Sequence, residues 1–195
     1  MRDMSIDCLT GTLVFESSKH YQIVANSGSG KTSLLRSLYG INEEYSGNIF
    51  IDDENIKSYN TKAWSEIRRN KFSFAFQNHF LLEDFSLMEN ILIKSQISPF
   101  YSINDIHDLL NEFGLYSKKN VKLRILSSGE RQRTSILRAL CCQFEWLILD
   151  EPFNNLDDKN ILVVRDAIMQ RTDQTNAGVI VADVTEYEHY NNIIN

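Results

Sequence analysis

Three short stretches of this chain carry residue types that can do chemistry together. Ala25-Asn-Ser-Gly-Ser-Gly-Lys-Thr32 follows an aromatic and β-branched run, Tyr21–Val24, and precedes a helical pattern. Gly28 and Gly30 let backbone N–H groups crowd around phosphate oxygens, with Asn26, Ser27, Ser29 and Ser33 completing the cradle. The helix starting near Lys31 points its positive end at the same charge. Lys31 is expected to reach the outer phosphates, and Thr32 to ligate Mg²⁺ through its hydroxyl. In the second stretch, Trp146-Leu-Ile-Leu-Asp-Glu151, an apolar run ends in two acids. At the carboxyl end of a buried strand, Asp150 can hold Mg²⁺ directly or through water. Glu151 there can polarise a water for attack on a γ-phosphate. The third stretch, Leu126-Ser-Ser-Gly-Glu-Arg-Gln-Arg133, opens a helix. Ser127, Ser128 and Gly129 offer N–H groups and a dipole, and Glu130 is placed as a capping acid.

Each stretch has a plainer explanation. A Gly/Ser turn can precede any helix, two acids after a strand can be a solvated turn, and Ser-Ser-Gly-Glu is a helix cap. The strand, loop and helix order rules against the first of these, and the phosphate loop rules against the second. Phosphate loops of this type usually open with glycine, where this chain has Ala25. If that position takes positive φ, alanine costs about 1 kcal/mol or more and weakens binding geometry without loss of the fold.

The elements that must position these groups follow from periodicity. Strands are expected at Ser5–Leu9, Thr12–Phe15, Tyr21–Val24, Gly47–Ile51, Phe72–Phe76, Phe144–Leu149 and Gly178–Ala182. Helices are expected at Ser33–Tyr39, stopped by Gly40, and at Thr61–Arg69, Leu87–Lys94, Ile103–Phe113, Gly129–Cys142 and Asp158–Gln170. Strands alternating with helices give an α/β fold with a parallel sheet. The stretch from Gln77 to Ile125 reads as a helical insertion, broken at Ser98-Pro99.

With 195 residues, 43% of them hydrophobic, one domain with an insertion is expected. The net charge of -6 and absence of a basic block disfavour nucleic-acid binding. Cys8, Cys141 and Cys142 form no metal-ligand spacing, and an odd count disfavours a disulfide framework. The adjacent pair reads as core packing, and a reducing compartment fits. No apolar run reaches the ~20 residues that span a bilayer, and the N-terminus lacks a basic-then-apolar signal pattern. A soluble protein is expected, with any membrane role coming through a partner.

With these stretches in order, the chain resembles the ATP-binding-cassette (ABC) ATPases over almost its whole length. Asn26–Thr32 matches the Walker A loop, Gln77 the glutamine loop, and Leu126–Glu130 the signature. Trp146–Glu151 matches Walker B, and Asn155-Leu-Asp157 the D-loop. The resemblance implies a P-loop NTPase core, with a mainly parallel sheet, a short N-terminal antiparallel β part and a helical insertion. The core would comprise residues 1–77 and 126–195, and the helical subdomain 78–125. It also implies ATP and Mg²⁺ as cofactors, with Thr32, Asp150 and Gln77 as metal ligands, and Gln77 linking the attacking water to the insertion.

Two further implications concern partners. A second ATPase subunit, identical or different, would bind head-to-tail, so that Ser127, Ser128, Gly129 and Glu130 face its nucleotide. A transmembrane permease would seat the pair on the inner, cytoplasmic face of the cell membrane. The segment Phe76–Asn90 is similar to that of the lipoprotein-releasing ATPases, to which the macrolide-exporter and cell-division ATPases are related. An importer ATPase with a similar loop is the alternative. Phe80, Leu81, Leu82 and Phe85 would either line the groove that receives a permease helix or belong to the core of the insertion.

The chain also departs from the family pattern. Asp183 takes the place of the histidine after the last core strand, where an anion facing the γ-phosphate would repel it unless protonated or turned away. His189 lies too far on to replace it. Ser128 replaces the first glycine of the signature. Phe15 and Tyr21 are the aromatics preceding Ala25, and neither is assigned as an adenine platform. The first functional reading is an ATP-hydrolysing subunit of an exporter or lipoprotein-releasing transporter. The second is a degenerate subunit that binds ATP, hydrolyses it weakly and serves a regulatory or structural role. A repair or translation ATPase is disfavoured, because neither coiled coils, zinc modules nor a second cassette is present.

Overall fold

The computed structural model describes residues 4–8, 11–77, 80–187, 190 and 192–194; His189 lies outside them. The strands are β1 Met4–Cys8, β2 Gly11–Phe15, β3 His20–Val24, β4 Asn48–Ile51, β5 Glu54–Asn55, β6 Phe72–Ala75, β7 Trp146–Asp150, β8 Gly178–Asp183 and β9 Asn192–Ile194. The helices are α1 Lys31–Leu38, α2 Thr61–Asn70, α3 Leu87–Ser95, α4 Ile103–Glu112, α5 Ser128–Leu140 and α6 Asp158–Thr175. A parallel sheet has the order β6-β7-β8-β3-β9, and a smaller antiparallel sheet the order β2-β1-β4-β5. The α/β architecture expected from the alternating pattern is the one observed.

The central strands are apolar on both faces because both are covered. Leu147, Leu149, Val179 and Val181 face one hydrophobic cluster with residues of α3, α4, α5 and α6. Trp146, Ile148, Ile180 and Ala182 face a second, with α1 and the antiparallel sheet. Each such side chain removed from water contributes about 2 kcal/mol. Gly178 has no room for a side chain, since a Cβ there would lie 2.4 Å from the Trp146 ring. Cys141 and Cys142 are buried free thiols within this packing.

Helix starts are locally encoded. Ser86 with Glu89, Ser102 with Asp105 and Ser127 with Glu130 form reciprocal capping boxes, and Asn60 and Asp157 cap α2 and α6. Helix α6 outruns its expected end at Gln170 by five residues, to Thr175. Its last turns are held by a buried arginine instead of an apolar stripe, so periodicity does not reveal them. Arg171 is 1% exposed, donates to the carbonyls of Leu140 (3.3 Å) and Cys142 (2.9 Å), and lies against the rings of Phe100 and Phe144. Strands β5 and β9 are two and three residues long, too short to carry an alternating signal.

Candidate functional site

The parallel strands bring the phosphate loop and the paired acids to one edge of the sheet. β3 and β7 both pair with β8, so the loop after Val24 and the acids after Leu149 flank the end of one strand. Gly28 (φ 79°) and Gly30 (φ 98°) are left-handed, and a Cβ built on either would meet no atom within 4 Å. These glycines serve backbone conformation and an open approach, not tight packing. Residues Asn26 to Gly30 are exposed, and Ser33 is exposed on the first turn of α1. Lys31 is buried, and its ammonium donates to the carbonyls of Ala25 (2.6 Å) and Asn26 (2.9 Å), which closes the loop.

Ala25 is not among the residues with positive φ. The anticipated penalty at this position therefore does not arise. Its N–H donates to the Asp183 carbonyl (3.3 Å), which ties the start of the loop to β8.

Thr32 Oγ1 donates to Asp150 Oδ1 at 3.2 Å, although the two are 118 positions apart. Asp150 is 1% exposed, and its second oxygen, Oδ2, is buried without a hydrogen-bond partner. Burial pushes its carboxyl above the ordinary range, opposed by Thr32 and raised further by Glu151. An orphaned carboxylate oxygen beside a hydroxyl is a donor set suited to Mg²⁺. Among the described residues no three His, Cys, Asp or Glu side chains gather as a cage.

Glu151 is 9% exposed and sits at φ 48°, a left-handed conformation that costs a non-glycine residue of order 1 kcal/mol. Its N–H donates to the Ala182 carbonyl (2.8 Å), so β8 holds this backbone in place. Its Oε2 accepts from Gln77 Nε2 (2.5 Å) and from Asn154 Nδ2 (2.6 Å). The Gln77 amide nitrogen thus engages Glu151, which leaves its carbonyl oxygen for another partner. Gln132 Nε2 donates to the Glu151 carbonyl (3.4 Å) from the second turn of α5. Asn154 and Gln132 were not singled out in the sequence. The proximity of Asn154, three residues after Glu151, was its only sequence signal.

Asp183 is fully buried and turned into the loop that follows it. Its Oδ1 accepts from the N–H groups of Val184 (2.7 Å) and Thr185 (3.4 Å), and its Oδ2 pairs with the Tyr187 hydroxyl (3.3 Å). Burial raises its carboxyl; these bonds oppose the rise and Glu151 adds to it. From the neighbouring strand Gln22 donates to the Thr185 carbonyl (2.5 Å) and accepts from the Tyr187 N–H (2.9 Å), pinning the same loop.

Ser127 caps α5, accepting from the Glu130 N–H (3.3 Å) while Glu130 accepts from the Ser127 N–H (3.0 Å) and pairs with Lys118. Ser128 is the first helical residue, and a Cβ on Gly129 would lie 2.7 Å from the Asn155 carbonyl oxygen. Gly129 is thus needed where the start of α5 meets the Asn155 backbone of the same chain. Phe80, Leu82 and Phe85 are exposed, whereas Leu81 packs against the core. Phe15 and Tyr21 are buried edge-to-face, 5.1 Å apart, and offer adenine no surface. No helix among the described residues is long and apolar enough to cross a membrane.

Residues 11–154 match the family model described as ABC transporter. The chain is 37% identical over 163 residues to the lipoprotein-releasing system ATP-binding protein LolD of Buchnera aphidicola, covering 82% of this chain and 71% of that one. Two dimeric structures of MJ0796, a bacterial ABC transporter cassette, share its fold at 20% identity. One has a TM-score of 0.79 and covers 95% of this chain and 88% of that one. The other, a post-hydrolysis state bound to ADP and Pi, has a TM-score of 0.77 and covers 93% and 88%. With a family match spanning both the phosphate loop and the paired acids, this chain belongs to the ABC transporter family as one of its ATP-binding ATPase cassettes.

Proposed function

We propose that this chain binds and hydrolyses Mg-ATP at the interface of a head-to-tail pair of ATPase subunits. The pair would drive a membrane permease of the export or lipoprotein-releasing type from the inner, cytoplasmic face of the membrane. The observation that carries this reading is the pairing of Thr32 with Asp150, whose second oxygen is orphaned, next to a Glu151 held by Gln77 and Asn154. LolD, the relative described above, is named for a lipoprotein-releasing system.

In this reading the loop Asn26 to Ser33 and Lys31 bind the phosphates, the two left-handed glycines leaving the approach to the loop open. Thr32, Asp150 and Gln77 would hold Mg²⁺, which when bound neutralises charge on the outer phosphates. Glu151 accepts hydrogen bonds from a water and orients it for in-line attack, while Asn154 fixes the carboxylate. Gln77 hands the state of that carboxylate to the segment 78–125, the proposed helical subdomain between core residues 1–77 and 126–195. Ser127, Ser128, Gly129 and Glu130 present a helix N-terminus to the nucleotide of the second subunit. A second reading, a subunit that binds ATP but hydrolyses it weakly, draws on Asp183 at the histidine position.

Turnover and affinity for Mg-ATP, measured on the purified chain and on Glu151→Gln, separate the two. The expected outcome is unchanged affinity with turnover reduced about 100-fold or more in the variant. Binding without turnover in the unsubstituted chain would replace the motor with the degenerate subunit.

A further inference from the structure

Between α6 and the segment that follows β8 lies a cavity of about 390 Å³, the size of a small-molecule site. Asp158, Ile161, Leu162 and Arg165 line it at spacings of three and four, which puts them on one face of α6. Val164, Ala167 and Ile168 of the same helix are buried in the core instead. Phe153, Tyr187 and Tyr190 add aromatic rings to the lining, and Glu186 adds a second carboxylate. Leu162 is 49% exposed and both acids are exposed, whereas Phe153 and Tyr190 are buried. The cavity therefore has an acidic, partly apolar mouth and an aromatic floor.

The arginine of this lining is already committed, since Arg165 donates through Nε (2.9 Å) and Nη2 (2.6 Å) to Asp166 Oδ1. Among the described residues no salt bridge uses Asp158 or Glu186. Tyr190 is 2% exposed, and its hydroxyl is buried without a hydrogen-bond partner. Most buried hydroxyls are paired, so this one keeps an unused donor and acceptor. Aromatic faces, two carboxylates and a hydroxyl acceptor are the groups that recognise an ammonium ion. The same wall reaches the catalytic turn. Phe153 lies shortly after Glu151, and its ring meets Tyr187 edge-on with centroids 4.8 Å apart. The Tyr187 hydroxyl pairs with Asp183 (3.3 Å), next to Ala182, whose carbonyl holds the Glu151 backbone.

We propose that this cavity binds a small organic amine in its ammonium form, and that its occupancy alters ATP turnover through Phe153 and Tyr187. The second clause rests on the function proposed above. The apolar body of the amine packs on Ile161 and Leu162, with its charge toward Asp158 and Glu186. A carboxylate or phosphate of the same size would meet both acids and be repelled. An uncharged apolar molecule would leave the acids unused.

The test titrates tryptamine and indole-3-propionate, similar in size and opposite in charge, into the full chain at fixed ionic strength, followed by ligand-detected NMR. Tryptamine is expected to bind with a Kd of about 1 mM or below, at least about tenfold more tightly than the acid. Leu162→Arg sets a cation in the mouth and should abolish tryptamine binding. Asp158→Asn with Glu186→Gln should erase the preference between the probes. All three positions are exposed, so the urea midpoints of these variants should hold. Equal binding of the two probes, or a preference for tryptamine that survives both sets of substitutions, overturns the proposal. So does the absence of tryptamine binding up to about 10 mM. At saturating Mg-ATP, tryptamine should change turnover by about twofold or more in the unsubstituted chain and leave Leu162→Arg unaffected. Tryptamine binding with unchanged turnover refutes the coupling to the Glu151 turn. Absence of turnover in the unsubstituted chain would refute the proposed function while leaving the binding comparison readable.

Discussion

Replacing Asp183 by asparagine distinguishes a carboxylate that opposes the γ-phosphate from one that builds a loop. A full charge about 6 Å from a phosphate oxygen, at an effective dielectric of about 20, is repelled by about 3 kcal/mol. Neutralising it would then speed turnover by roughly 100-fold. The geometry argues otherwise, because both carboxyl oxygens are engaged by Val184, Thr185 and Tyr187, and the residue is fully buried. Asparagine keeps an acceptor for the Val184 N–H, so turnover should change by less than about threefold.

Stability should respond in a defined direction. Burial raises the folded carboxyl above 3.8, so the folded state binds the proton more tightly than the unfolded chain. The stability this contributes is present at low pH and is lost as pH rises from 3.8 through the raised value. Asparagine removes that loss, so its stability relative to the unsubstituted chain should rise across this window and level off above it. Asp183→Ala strips an acceptor from two N–H groups and the Tyr187 hydroxyl. It should cost about 2–3 kcal/mol, the total limited because Gln22 still pins the loop. Turnover measured with each variant and urea denaturation across pH read both effects. A rise in turnover of about tenfold or more in Asp183→Asn, or an alanine cost below about 0.5 kcal/mol, would refute the reasoning.

Three further outcomes follow from single positions. Ala25→Gly should leave ATP affinity within about twofold and lower stability by about 0.5–1 kcal/mol through unfolded-chain entropy; a tenfold tighter nucleotide titration would restore the idea of strain there. Gly129→Ala sets a methyl 2.7 Å from the Asn155 carbonyl and should cost about 1–3 kcal/mol in chemical denaturation, whereas an unshifted midpoint would mean the D-loop segment moves freely. Arg171→Met leaves the Leu140 and Cys142 carbonyls without their donor and removes a cation from between Phe100 and Phe144; a loss of about 2–4 kcal/mol is expected, and a neutral result in urea denaturation would show that α6 is held by other contacts.

Much of this protein is determined within a few residues of chain. A capping serine and an acid three positions later start α3 and α5, and the two glycines of the phosphate loop are left-handed, because those preferences act through bonds that neighbours can reach. Strands apolar at every position already require a sheet covered on both faces.

Tertiary structure decided what depends on distant partners. It set the backbone of Ala25, where a residue-type rule suggested strain and the pairing with Asp183 shows none. It placed the strain at Glu151 instead, where the Ala182 carbonyl fixes the turn out of β7. It turned the Asp183 carboxyl into its own loop and extended α6 around a buried guanidinium. Gln77 and Glu151 are 74 positions apart and meet only because β6 and β7 lie side by side in one register. Hydrogen bonds and charge act over a few ångströms of space. A one-dimensional pattern names the groups that can make them, and the folded sheet decides which groups do.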